Sequence, residues 1–141
     1  MNPEVVIEDR AVLFSFHGRI RRSTFWDGGA ACVLLCLFIG VVVLAMSIAG
    51  LAATQLWIAA GVLALLPLWI WLAVCAKRWH DLGFPLPMLV LNLLPLGALV
   101  LVKTQPMVAA AVAGGLVLVS VLYLGLAKGA SGPNKFGERS F

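Results

Sequence analysis

Three short segments carry most of the residues that could do chemistry. Residues 14–27 hold Arg19, Arg22 and Asp27 among aromatic rings, a second run holds Lys77, Arg78, His80 and Asp81, and a glycine-rich third holds Asn134. A guanidinium offers a planar fork that fits a carboxylate or a phosphate, and Asp27 and Asp81 are available as partners. The set can therefore knit the ends of structural elements together or leave donors free for an anion such as a lipid phosphate. His80 beside Asp81 invites an acid–base or metal reading. Adjacent residues on a helix diverge by about 100°, and zinc takes about four ligands, or three and a water. His17 is the one other histidine. The plainer reading is a histidine orienting at an interface and an aspartate capping the turn before Gly83. No catalytic residue, metal ligand or cofactor is assigned. Cys32, Cys36 and Cys75 read as small apolar residues, since a cytoplasm-facing setting keeps thiols reduced.

The elements that must position these residues are apolar. Hydrophobic residues make up 62% of the 141 and charged ones 11%, with a mean hydropathy of +1.06, outside the range of an ordinary soluble domain. Four runs, residues 28–50, 56–76, 85–102 and 107–127, approach or exceed the roughly 20 residues that cross a hydrocarbon core of about 30 Å. Without water to satisfy backbone amides, helix is the expected state of each. The expected fold is an all-α integral membrane protein with four transmembrane helices. An interfacial segment of residues 1–27 precedes them and a tail of residues 128–141 follows. Residues 1–10, with Glu4, Glu8 and Asp9, lack the basic start of a signal peptide, so the first span is expected to be an uncleaved anchor.

Charge sets the orientation. Nine of the ten Lys and Arg fall on one side: Arg10, Arg19, Arg21 and Arg22, then Lys77 and Arg78, then Lys128, Lys135 and Arg139, with Lys103 alone opposite. By the positive-inside rule both termini are expected in the cytoplasm. The third span, with Pro85, Pro87, Asn92 and Pro95, is expected to be tilted, kinked or re-entrant, and Pro67 interrupts the second. In the fourth, Ala110 with Gly114 and Ala111 with Gly115 make a smooth strip for another helix, expected to be one of the same chain.

The three polar segments, in this order and at these spacings, resemble the bacterial inner-membrane family DUF805, a domain of unknown function. Its F-x-G-R-x-x-R-x-x-F-W motif is met by Phe16, Gly18, Arg19, Arg22, Phe25 and Trp26. Its R-R-x-H-D-x-G loop is met by Arg78, His80, Asp81 and Gly83, and its G-x-x-G-x-N-x-Y-G tail by Gly129, Gly132, Asn134 and Gly137. Lys77 stands where the family usually has arginine and Phe136 where it usually has tyrosine; no proline follows Gly137. The resemblance implies a four-helix bundle in the bacterial inner membrane and brings no reaction with it.

The function expected is that of a non-enzymatic membrane protein whose cytoplasmic rim binds anionic lipid headgroups or a partner protein. The candidate residues are Arg19, Arg22, Asp27, Lys77, Arg78, His80, Asp81 and Asn134. An oligomeric transporter or channel for small solutes or lipid is one alternative, although no Asp, Glu, Lys, Arg or His lies within a span. An interfacial enzyme acting on a lipid headgroup is another, although its candidate groups are only Asp27, His80 and Asp81. Association with a second copy is open. A nucleic-acid partner is not expected, because no recognition helix or aromatic-studded basic groove is visible.

Overall fold

The computed structural model describes residues 13–137. The acidic start and Arg10, and Arg139 in the tail, lie outside the described residues. Within them the secondary structure is helical: α1 (Arg22–Ile48), α2 (Ala53–Asp81), α3 (Val90–Gly97) and α4 (Pro106–Leu126). Short 3₁₀ turns at Leu86–Leu89 and Ala98–Leu101 flank α3.

Three of these helices, α1, α2 and α4, are long and apolar enough to cross a membrane, with 27, 29 and 21 residues. Two begin or end away from the apolar runs that marked them. α1 starts at Arg22 rather than at residue 28, so Phe25, Trp26 and Asp27 are helical. α2 continues to Asp81, so Lys77, Arg78, His80 and Asp81 lie on its last turns rather than in a loop. The backbone ladder continues past the end of the apolar run, and that run was the only guide in the sequence.

The expected third span is not one helix. Pro85 and Pro87 lack amide hydrogens and Pro95 sits inside α3, which confines regular α-helix to eight residues between two 3₁₀ turns. Pro67, by contrast, lies within α2 and does not end it.

The chain divides into two compact units, one of Met1–Ser15 and Trp26–Val74, the other of Phe16–Phe25 and Cys75–Phe141. In the first, α1 and α2 approach closely where Gly28 faces Val74; a Cβ on Gly28 would lie 2.8 Å from a Val74 methyl. The Cys32 thiol donates to the Pro67 carbonyl at 3.7 Å, and the Trp69 indole N–H donates to the Phe14 carbonyl at 3.2 Å.

In the second unit, the Arg78 guanidinium donates to the carbonyls of Leu124 and Ala127 at the end of α4 and of Ile20 just before α1. The start of α1 and the ends of α2 and α4 therefore meet. Because α2 and α4 finish at the same end, the segment between them, α3 included, must run back to where α4 begins. Asn92 of α3 fixes that return: its side-chain carbonyl accepts from the Trp79 indole at 2.8 Å, and its amide donates to Ser120 Oγ at 2.7 Å and Cys75 Sγ at 3.4 Å.

The strip on α4 differs from expectation. A Cβ at Gly114 or Gly115 would meet nothing within 4 Å, and the buried residues of α4 are Ala109, Leu124 and Gly125. Small residues permit close approach but do not impose it; here the close approach falls at Gly28.

Candidate functional site

The site is built on the last turns of α2. Two residues beyond its end stands Gly83, whose φ of +87° turns the chain away at no side-chain cost. Gly83 N–H donates to the His80 carbonyl at 3.0 Å and Phe84 N–H to the Trp79 carbonyl at 2.9 Å, a Schellman closure. Phe84 then packs edge-on against Trp79 at 5.6 Å, the apolar contact that accompanies this cap. Backbone bonds thus close the turn that Asp81 was expected to cap, and the Asp81 carboxylate goes elsewhere.

Asp81 accepts from two arginines. Arg19 reaches its Oδ1 through Nη2 at 2.9 Å and Nε at 3.1 Å, and Arg78 donates to its Oδ2. The remaining Arg19 donors go to main-chain carbonyls of the tail, Ala130 at 3.0 Å, Gly132 at 2.9 Å and Gly137 at 3.4 Å, which occupies all five N–H groups of the fork. Both guanidinium side chains are 1% exposed. The tail passes so close that a Cβ on Gly129 would sit 2.0 Å from Asp81 Oδ2, and Ala130 N–H donates to the Asp81 main-chain carbonyl at 2.9 Å. Glycine at 129 is therefore a packing requirement of the Asp81 carboxylate.

His80 belongs to the same knot. Its Nδ1 is 3.2 Å from the Gly18 carbonyl and its ring stacks on Phe136 at 4.0 Å, 7° from parallel. Asn134 donates to the His80 carbonyl at 2.9 Å and accepts from the Phe136 N–H at 2.9 Å, and a bridge with Gly137 closes the tail into a turn. Burial pushes the His80 pKa below its usual value, against the opposing pull of the Gly18 carbonyl. Burial likewise pushes Lys77, 3% exposed at the end of α2, down to about 8.

The structure brings together Arg19, Arg78, His80, Asp81 and Asn134, and the motif residues Gly18, Gly129, Gly132 and Gly137. It does not bring in Asp27, which is exposed on α1 and has no hydrogen-bond or ion-pair partner among the described residues. Arg22 is exposed and is not hydrogen-bonded into the Asp81 cluster, although it shares a wall with Arg78 and Asp81.

That wall belongs to a cleft of about 170 Å³ lined by Arg21, Arg22, Arg78, Asp81, Lys128, Gly129, Ala130 and Ser131. Arg21, Arg22 and Lys128 are exposed, and their side chains make no hydrogen bond or ion pair with any described residue. Sequence reasoning counted Arg21 and Lys128 only as anchoring charge and passed over Ser131. The signal available was modest: Arg21 adjoins the motif arginine Arg22, and Lys128 directly precedes the motif glycine Gly129. Among the described residues, this unit holds eight Lys and Arg against Asp81 as the sole carboxylate. No three His, Cys, Asp or Glu side chains come together among the described residues. Cys36 is exposed, whereas Cys32 and Cys75 are buried as expected for small apolar residues.

A family model described as a protein of unknown function, DUF805, matches residues 13–138, a stretch that takes in all three polar segments. No curated protein and no solved structure matches the chain. With that match spanning nearly all of its length, the chain belongs to the DUF805 family.

Proposed function

We propose that this is a non-enzymatic protein of the bacterial inner membrane whose cytoplasmic rim binds anionic lipid headgroups. The observation that carries the reading is the cleft: three exposed cations without partners stand over a buried arginine, and the carboxylate beside them is already held by two guanidiniums. Anionic headgroups on the cytoplasmic leaflet are the nearest abundant counter-charge for such a surface.

Four crossings with both termini inside are favoured by the contact of Arg78, on the last turns of α2, with the carbonyls of Leu124 and Ala127 at the end of α4, which requires a return between the two ends. At about 1.5 Å per α residue and 2.0 Å per 3₁₀ residue, the stretch from Leu86 to Leu101 reaches about 28 Å if its pieces are collinear, close to a core of about 30 Å. The excess of Lys and Arg at the end where α2 and α4 finish favours placing that end in the cytoplasm.

The groups an enzyme would use are committed elsewhere. Asp81 is held by Arg19 and Arg78, and His80 is stacked on Phe136 beside the Gly18 carbonyl. Asn92, the polar residue that a solute path could have used, spends its amide on Trp79, Ser120 and Cys75.

The test is mass spectrometry of lipids retained by the purified protein in mild detergent, beside an Arg21→Gln/Arg22→Gln/Lys128→Gln variant. Retention of phosphatidylglycerol or cardiolipin by the wild type and its loss from a folded variant is the expected result. The same lipids in both, or only zwitterionic lipids in the wild type, would refute the reading.

A further inference from the structure

We propose that the cleft is a site for a single phosphate monoester, in which Arg21, Arg22 and Lys128 take the three terminal oxygens. This deepens the reading that the rim binds anionic lipid and rests on it. A general attraction to an anionic surface needs exposed cations but no concavity. Here the three cations line one cleft with Ser131, whose hydroxyl is exposed and can donate as well.

The charge of the site selects the ligand. The lining holds Arg21, Arg22, Arg78 and Lys128 against Asp81, and the Asp81 charge is shared with Arg19 behind it. A phosphodiester brings one negative charge and two terminal oxygens. A monoester brings about −1.5 to −2 at neutral pH and three strong acceptor oxygens, which answers both the number of donors and the surplus of positive charge. Burial lowers the Arg78 pKa and the neighbouring Arg22 charge adds to the lowering, a repulsion that a bound dianion would relieve. α1 begins at Arg22, so the positive end of a 27-residue helix lies at the same wall.

The cleft volume of about 170 Å³ far exceeds the roughly 10–15 Å³ a single water requires and accommodates a phosphate group. Its walls give no further recognition to an elaborate headgroup, since Gly129 and Ala130 contribute little beyond backbone. The ligand is thus either a lipid ending in a bare phosphate or a soluble phosphate ester, and the shared chemistry is the monoester.

The experiment uses the full chain in nanodiscs of phosphatidylcholine doped with equal small fractions of phosphatidic acid, a monoester, and phosphatidylglycerol, a diester. Native mass spectrometry reads the lipid bound. The expected result is a preference for phosphatidic acid of about tenfold, near 1.4 kcal/mol. It should shrink in Lys128→Gln and vanish in the Arg21→Gln/Arg22→Gln/Lys128→Gln variant. Displacement of bound phosphatidic acid by glycerol 3-phosphate or inorganic phosphate identifies a soluble ester as the ligand; resistance to both identifies the lipid. Equal binding of phosphatidic acid and phosphatidylglycerol overturns the monoester site and leaves the anionic rim standing. No preference for either over phosphatidylcholine overturns both. The single Lys128→Gln change touches an exposed side chain only, so the site is tested even if the triple variant fails to fold.

Discussion

The shafts of α1 and α2 in the first unit and the basic end of the second unit invert one another. On α1, Val33, Leu37, Phe38 and Val41 are all about 60% exposed, while at the end of α2 Lys77, Arg78, His80 and Asp81 are each at most 6% exposed. In water this arrangement would be inside out. In lipid it is the expected economy, because apolar side chains gain nothing by leaving hydrocarbon and helix packing must come from close fit and polar contacts. The first unit uses close fit, at Gly28 against Val74. The second uses a hydrogen-bonded charge cluster, and the cations left over from that cluster form the cleft.

Breaking the cluster should cost most. Asp81→Asn leaves two buried guanidiniums without a counter-charge and is expected to lower stability by about 3–5 kcal/mol, read as a fall in the unfolding midpoint in mild detergent. Leu37→Ala on the exposed shaft of α1 should stay within about 0.5 kcal/mol in the same assay. Gly129→Ala forces a methyl against a carboxylate that two arginines hold in place, and a loss of about 1–3 kcal/mol is expected. Asn92→Leu, which strands the Trp79 indole N–H, should cost about 1–3 kcal/mol and loosen α3 in hydrogen exchange.

The smallest effect sharpens the comparison through pH. Burial lowers the folded-state pKa of His80 below its ordinary 6.5, so the unfolded chain binds this proton more readily. The His80 contribution is therefore level above about pH 6.5 and falls as pH drops from there through the folded value. Replacing the ring in His80→Asn should flatten that slope, whatever it does to the absolute midpoint.

Much of this was legible in the sequence because apolar length and charge asymmetry are strong signals. The long helices and the meeting of the three polar segments follow from them. The division of labour among the arginines was not legible. Arg19, Arg22 and Arg78 look alike as motif positions, yet Arg19 and Arg78 are spent on Asp81 and main-chain carbonyls while Arg22 is free. Which fork is saturated depends on where the carbonyls of residues 124–137 fall, and spacing along the chain does not encode that. The break around α3 was signalled by its prolines, but its anchoring through Asn92 to Trp79 and Ser120 required the fold.

Buried charge holds this structure together, and exposed charge is what we propose takes a ligand. Measuring the unfolding midpoint and the retained anionic lipid on the same preparations of Asp81→Asn and of Arg21→Gln/Arg22→Gln/Lys128→Gln tests that division most directly. The expected result is a large fall in midpoint for Asp81→Asn, and for the triple variant an unchanged midpoint with anionic lipid lost. A triple variant that keeps its anionic lipid, or an Asp81→Asn protein as stable as the wild type, would contradict it.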